Sequence, residues 1–262
     1  MQALRTAATG MAAQQMKVEV ISNNIANMNT VAFKKQRAEF QDLLYQTFEA
    51  AGTQSSDQGT IVPTGVQVGA GVKAGAVYRV ETQGALTRTD NPYDLAIDGR
   101  GYFQVLLPSG ETAYTRAGNF SMNEQGQLVT QDGYQVQTAI AIPGDAVAVT
   151  VSKSGQVQVQ QAGQTNPSVV GVLELATFVN DGGLSALGGN LFKETAASGA
   201  PTTGTAGSTG IGTLTQGYTE ASNVDPVSEI TALIVAQRAY EMNSKVISTA
   251  DNMLATANQV KA

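Results

Sequence analysis

The chain has no cysteine, no histidine and no tryptophan. The first two absences remove much of the chemistry that side chains perform near neutral pH. Without cysteine there is neither a disulfide framework nor a thiolate metal site. Without histidine there is no His-based triad, no neutral-pH imidazole shuttle and no imidazole ligand. Charge is also sparse: 14% of the 262 residues are charged, 15 basic against 21 acidic, for a net charge of -6. That balance lacks the basic footprint that a nucleic acid or an anionic membrane demands. No stretch approaches the roughly 18 to 20 apolar residues that span a bilayer, so no membrane insertion is expected. Residues 1 to 10 carry Arg5 but no apolar run of a secretory signal. If the protein leaves the cytoplasm, a dedicated exporter must take it.

Nucleotide motifs are missing too. There is no GxxxxGK[ST], and Gly99-Arg100-Gly101 is not followed by the third glycine of a dinucleotide fingerprint. Carboxylates are the remaining catalytic candidates, with Asp90, Asp94 and Asp98 close together. Paired acids hydrolyse glycosides, but this segment also reads as turn, strand and turn, where aspartate serves local hydrogen bonds. No catalytic, cofactor or metal site is expected. The basic run Lys34, Lys35 and Arg37 is followed by Glu39 and Asp42 and reads as a solvated face.

What is present is pattern. Leu4, Met11, Val18 and Ile25 step by sevens, with Ala7, Ile21 and Met28 three positions after members of that series and Gln14 at the remaining place. This is a heptad seam on a helix that ends near Met28, where Asn23, Asn24, Asn27 and Asn29 crowd. The other end repeats the device. Ser222, Asn223 and Asp225 are candidate caps before Pro226, and Leu233, Tyr240, Ile247 and Leu254 alternate with the smaller Ala236, Asn243, Ala250 and Ala257. Helices of these lengths would run about 40 and about 50 Å, so neither fits inside a body made from the middle of the chain.

Between them the period becomes two. Val66, Val68, Ala70, Val72, Ala74 and Ala76 alternate with glycine and polar residues. Strand-like runs follow at 102–107, 127–130, 134–142, 146–151, 156–160 and 169–179, separated by turns such as Asp132-Gly133 and Ser154-Gly155. Two low-complexity stretches, 52–59 and 196–212, frame this region, and the second reads as a surface loop or flexible linker. Residues 33–50 fit either a helical face or an extended arm. The fold class is α+β, with terminal helices that look made to pair as a coiled coil around an antiparallel β-rich middle.

Ser22-Asn23-Asn24-Ile25-Ala26-Asn27, followed by Thr30 and Phe33-Lys34, resembles the N-terminal signature of bacterial flagellar rod and hook proteins. Gln237 to Lys245 and Asp251 to Leu254 are similar to the C-terminal signature of that family. Asp42 to Gln46, Asp94 to Ile97, and Ala113-Tyr114-Thr115-Arg116 with Gly118 and Phe120 resemble its distal rod branch. The likeness covers essentially the whole chain. Ala32 stands where many members have glycine, which argues that the backbone there need not be left-handed.

The resemblance implies a structural subunit rather than an enzyme, a homo-oligomer forming a hollow tube that transmits torque from motor to hook. It implies a discontinuous helical domain at 1–30 and 223–262 lining the tube, an extended connecting arm at 31–72 and a β-rich outer domain at 73–222. Subunit contacts are expected along Leu4, Met11, Val18, Ile21, Ile25 and Met28, and along Leu233, Tyr240, Asn243, Ile247 and Leu254. It further implies the flagellar type III export apparatus, assembly in the periplasm toward the outer membrane without a cleaved signal peptide, and proximal rod, hook, L ring and P ring proteins as neighbours. The rival readings are a hook or proximal rod protein and, from another class, a secreted carbohydrate-active β protein using Asp94 or Asp98.

Overall fold

A computed structural model describes residues 2–50, 52, 64–137, 140–164 and 166–261, with residues 260 and 261 described by backbone only. The chain is α+β. Its described elements are two long helices at the ends, one 3-10 turn, and short strands between them whose recorded pairings are antiparallel. The chain divides into two compact units: one drawn from Met1–Ala26, Gln36–Tyr78 and Asp225–Ala262, the other from Asn27–Lys35 and Arg79–Val224.

In the first unit, helix α1 spans Gln2–Ala26 and helix α2 spans Pro226–Lys261, about 37 and about 54 Å at the usual rise. Proline opens α2 where its missing N–H costs nothing, and the Asp225 carboxylate accepts the Val227 N–H at 3.2 Å. Of the three candidate caps, Asp225 therefore serves. The residues between 33 and 50 that fitted either description are extended, with strands Gln36–Asp42 and Tyr45–Glu49. The period-two run divides into strands Val66–Gly69 and Val72–Arg79. Gln36–Asp42 pairs with Val72–Arg79, and Tyr45–Glu49 with Val66–Gly69, as two successive two-stranded ladders. Most of the low-complexity stretch 52–59 lies outside the described residues.

The second unit is built on strand Tyr102–Leu106, which pairs with Thr112–Thr115, Glu174–Thr177 and Gln135–Val136. Its alternation is physical: Phe103 and Val105 enter the main core, whereas Tyr102 enters a second one. Leu175 and Ala176 on the neighbouring strand divide in the same way. The main core gathers Leu95, Ile97, Phe120, Val157, Val159 and Leu214 around Phe103, which meets Phe120 edge-on at 5.0 Å. The strand Ser168–Val172 belongs to a separate three-stranded sheet with Ala146–Val151 and Gln156–Gln161.

Three local readings are corrected. The stretch 196–212 is not wholly loop, because Thr202–Thr205 pairs along Glu174–Thr177 and hides its backbone polar groups in a ladder. Asn223 does not cap α2; its amide accepts the Lys35 N–H at 2.7 Å and donates to the Val80 carbonyl at 2.8 Å. Ala32 is left-handed, with φ of 57°. Its N–H donates to the Glu220 carbonyl at 2.7 Å and its side chain is buried, so surrounding contacts hold an alanine where glycine would be less strained.

Candidate assembly interface

α1 and α2 run antiparallel against one another: Asn24, near the end of α1, meets Glu229 near the start of α2, and Gly10 meets Asn243 further along. Small groups dominate the contact face, with Ile21 the one large apolar side chain among those buried on it. Ala7 and Ile21 are buried on α1, and Ala236 and Ala250 on α2. A Cβ on Gly10 would lie 2.9 Å from the Asn243 side-chain nitrogen, so glycine there lets the amide sit against the helix backbone. Asn24 is 1% exposed and its single amide does three things. Its oxygen accepts the Gln36 N–H at 2.8 Å, and its nitrogen donates to the Gln36 carbonyl at 2.9 Å and to Glu229 at 3.1 Å. The first strand of the unit is thereby tied to the end of α1.

The other residues marked out by the sequence are spread over both units. Leu4, Met11, Val18 and Ile25 are half-buried, and Met28 is exposed and lies past the end of α1. On α2, Leu233, Asn243 and Ile247 are half-buried while Tyr240 and Leu254 are exposed. Because residue 10 lies opposite 243 and 24 opposite 229, residue 2 falls opposite 251, and the last turns of α2 extend past α1. Residues 251–259 are all exposed. Among the motif residues, Ser22, Asn23 and Ala26 are exposed, and Asn27, Thr30 and Phe33 are half-buried. The Thr30 hydroxyl donates to the Asn27 carbonyl oxygen of its amide at 3.1 Å.

Lys34 is buried in the second unit, and its partner was not legible from spacing. The Glu220 carboxylate, wholly buried, accepts from the Lys34 ammonium at 2.5 Å and the Gly84 N–H at 2.9 Å on one oxygen, and from Arg116 at 2.9 Å on the other. Lys34 also donates to the Thr82 carbonyl at 2.8 Å, and Arg116 to the Gly101 and Gly99 carbonyls at 3.0 Å each. Burial alone would push the Glu220 carboxyl up, but Arg116, Lys34 and the Gly84 N–H together outweigh it and hold it below its ordinary value. Burial depresses the Lys34 ammonium, with the Arg116 charge adding to that and the Glu220 hydrogen bond opposing it. One anion serves two cations, which keeps it ionised. Lys34 and Arg116 both lie in motifs quoted above, but nothing in the chain's spacing singles out Glu220 among its acids.

Each of the three aspartates serves a local bond, Asp98 accepting from the Gln83 amide at 3.4 Å. Asp94 is buried and accepts from the Asn91 amide at 2.9 Å, while Asp90 forms a solvent-exposed ion pair with Arg88. Gly118 explains part of the surrounding motif: a Cβ there would collide with the Leu95 carbonyl, across which the Leu95 N–H donates back to Gly118 at 2.9 Å. Among the described residues, no group of three or more His, Cys, Asp or Glu side chains is placed to hold a metal ion. No described helix is long and apolar enough to cross a membrane.

Three family models match the chain: "Flagella basal body rod protein" at residues 4–34, "Flagellar hook protein FlgE/F/G D1 domain" at 96–159, and "Flagellar basal body rod FlgEFG protein C-terminal" at 215–260. The flagellar basal-body rod protein FlgG of Caulobacter vibrioides is 70% identical over 100% of both chains. The FlgG proteins of Agrobacterium fabrum and Bacillus subtilis are 51% and 40% identical, each over 97% of both chains. FlgF of Caulobacter vibrioides is 37% identical over 88% of this chain and 86% of its own. The chain belongs to the flagellar basal-body rod protein family, resembling FlgG most, and is a structural subunit of the rod rather than an enzyme.

Proposed function

We propose that this subunit builds the distal segment of the rod, where many copies assemble through their terminal helices into a rigid hollow tube that carries motor torque to the hook. The observation that carries this reading is the exposure of α2. Val227, Ile230, Met242 and Met253 stand in water on a helix whose buried face is mostly alanine, whereas the β unit, though it exposes Val147, Val169, Val179 and Leu187, gathers most of its large apolar side chains in closed cores. Apolar surface of that extent on a long helix is covered in a working assembly.

In the assembly, the helices pair as a coiled coil and form the discontinuous domain 1–30 and 223–262. Residues 31–72 form the connecting arm, and 73–222 the outer domain. The seams Leu4, Met11, Val18, Ile21, Ile25 and Met28, and Leu233, Tyr240, Asn243, Ile247 and Leu254, contribute to contacts between subunits; their seven-residue spacing and the small residues between them support this. The neighbours are the proximal rod proteins, the hook protein and the L and P ring proteins, in the periplasm and up to the outer membrane. The flagellar type III export apparatus delivers the subunit. Electron microscopy of concentrated purified protein tests the central step: regular tubes are expected, and a monodisperse particle at every concentration contradicts it.

A further inference from the structure

α2 carries a second stripe, one residue out of phase with the face that packs on α1. Val235, Met242, Thr249 and Thr256 step by sevens, and Val246 and Met253 fall between them. At about 100° per residue this stripe lies roughly 100° around the helix from Ala236, Asn243 and Ala250. All six side chains are exposed: Met242 by 62%, Met253 by 63% and Val235 by 54%. α1 has a second stripe of opposite character. Ala8, Ala12, Gln15, Glu19, Ser22 and Ala26 are separated alternately by four and three residues, and every one is exposed.

Building on the assembly reading above, we propose that the large-residue stripe of α2 is the surface on which a second copy of this chain lays the small-residue stripe of its α1. Three observations select that occupant. The surface adjoins the existing contact of α2 with α1, so it extends an α1-against-α2 packing already present in each copy. The two stripes match in length, about 32 and about 27 Å, and toward both ends in shape, because valine and methionine fill the space above Ala8, Ala12, Ser22 and Ala26, while Gln15 and Glu19 stand between them. Their charges are complementary as well: Glu19 sits within the α1 stripe, and the exposed Arg238 and Lys245 flank the α2 stripe. The contact is heterologous. Each copy that accepts a neighbour on one stripe keeps the other free, which propagates an open helical array rather than closing a dimer.

The absence of cysteine makes the test clean. An Ala12→Cys chain is mixed in turn with Val235→Cys, Met242→Cys, Thr249→Cys or Thr256→Cys, and with Ser244→Cys on the opposite face of α2, then oxidised under tube-forming conditions. Crosslinks between the two different chains are expected at one or two neighbouring stripe positions, at much lower yield for Ser244→Cys, and not at all in dilute monomer. Met242→Glu is expected to lower tube yield roughly tenfold or more while leaving the thermal transition of the β unit unchanged. Tubes that give no stripe crosslink, equal crosslinking through Ser244→Cys, or full tube yield from Met242→Glu overturn the inference and leave the assembly reading standing. A wild-type chain that forms no tubes overturns both.

Discussion

The strand Tyr102–Leu106 buries side chains on both faces, Phe103 toward one core and Tyr102 toward another, whereas α2 buries Ala236 and Ala250 and leaves Met242 and Met253 in water. The β unit closes two apolar cores and a buried ion cluster from within, although Val147, Val169, Val179 and Leu187 on its surface stay exposed. The helical unit closes only a narrow face of small residues, and helices in general draw most of their stability from the packing of such faces. Closed cores and exposed apolar surface are thus divided unequally between two parts of one chain, and each part can be perturbed alone.

The largest effect is expected from breaking the dependent side. Ile247→Asp and Leu254→Asp place a carboxylate where the proposed assembly puts apolar contact, at several kcal/mol per site in every subunit. Tube formation and motility should disappear, with export and the thermal transition of the β unit retained. Glu241→Ala, also on α2, serves as the control. Equal tube yields from Leu254→Asp and Glu241→Ala would mean that the interface lies elsewhere.

The next effect falls on the self-sufficient side. Glu220→Ala strands two buried cations, and loss of one partner from a buried ion cluster costs about 3–5 kcal/mol. The melting of the β unit should drop sharply; an unchanged midpoint would contradict the bonding described for Lys34 and Arg116.

A smaller, graded effect comes from acid. The folded Glu220 carboxyl is held below its ordinary value of 4.5, so its contribution is fully present above the unfolded value and is lost as pH falls through the folded one. Acid titration of stability should therefore steepen below about pH 4.5. In Glu220→Gln that component should be missing, and an identical acid profile for the two proteins would rule it out.

The smallest effect on folding is expected from deleting residues 52–59. The β unit should melt as before while the tubes bend more easily, because the strands on either side, Tyr45–Glu49 and Val66–Gly69, are largely exposed and have little core of their own. Straight tubes of unchanged stiffness would remove that role from the arm.

The helices were legible because a heptad is a local, repeating signal and Pro226 marks a start. The β-rich middle was legible for the same reason, through period two and turns. Ala32 was not: its left-handed backbone is imposed by the hydrogen bond to Glu220, 188 positions away, which overrides the local preference. Thr202–Thr205 was hidden because its threonines sit inside an Ala-, Gly- and Ser-rich stretch with no alternation of apolar and polar residues to mark a strand, and its order comes from Glu174–Thr177. Glu220 itself carries no local mark, since a buried ion cluster is defined by segments that meet only after folding. On α2 the second stripe was present in the sequence but became informative only once the structure showed which face α1 already occupies.

Residue-resolved hydrogen exchange, on verified dilute monomer and on assembled tubes, tests the division between the two units most directly. The account predicts rapid exchange in the monomer along residues 2–26 and 226–261, strong protection of both in tubes, and protection of strands Leu95–Asp98, Tyr102–Leu106 and Glu174–Thr177 in either state. Strong protection of the two helices in the monomer, or loss of protection in those strands on dilution, would contradict it.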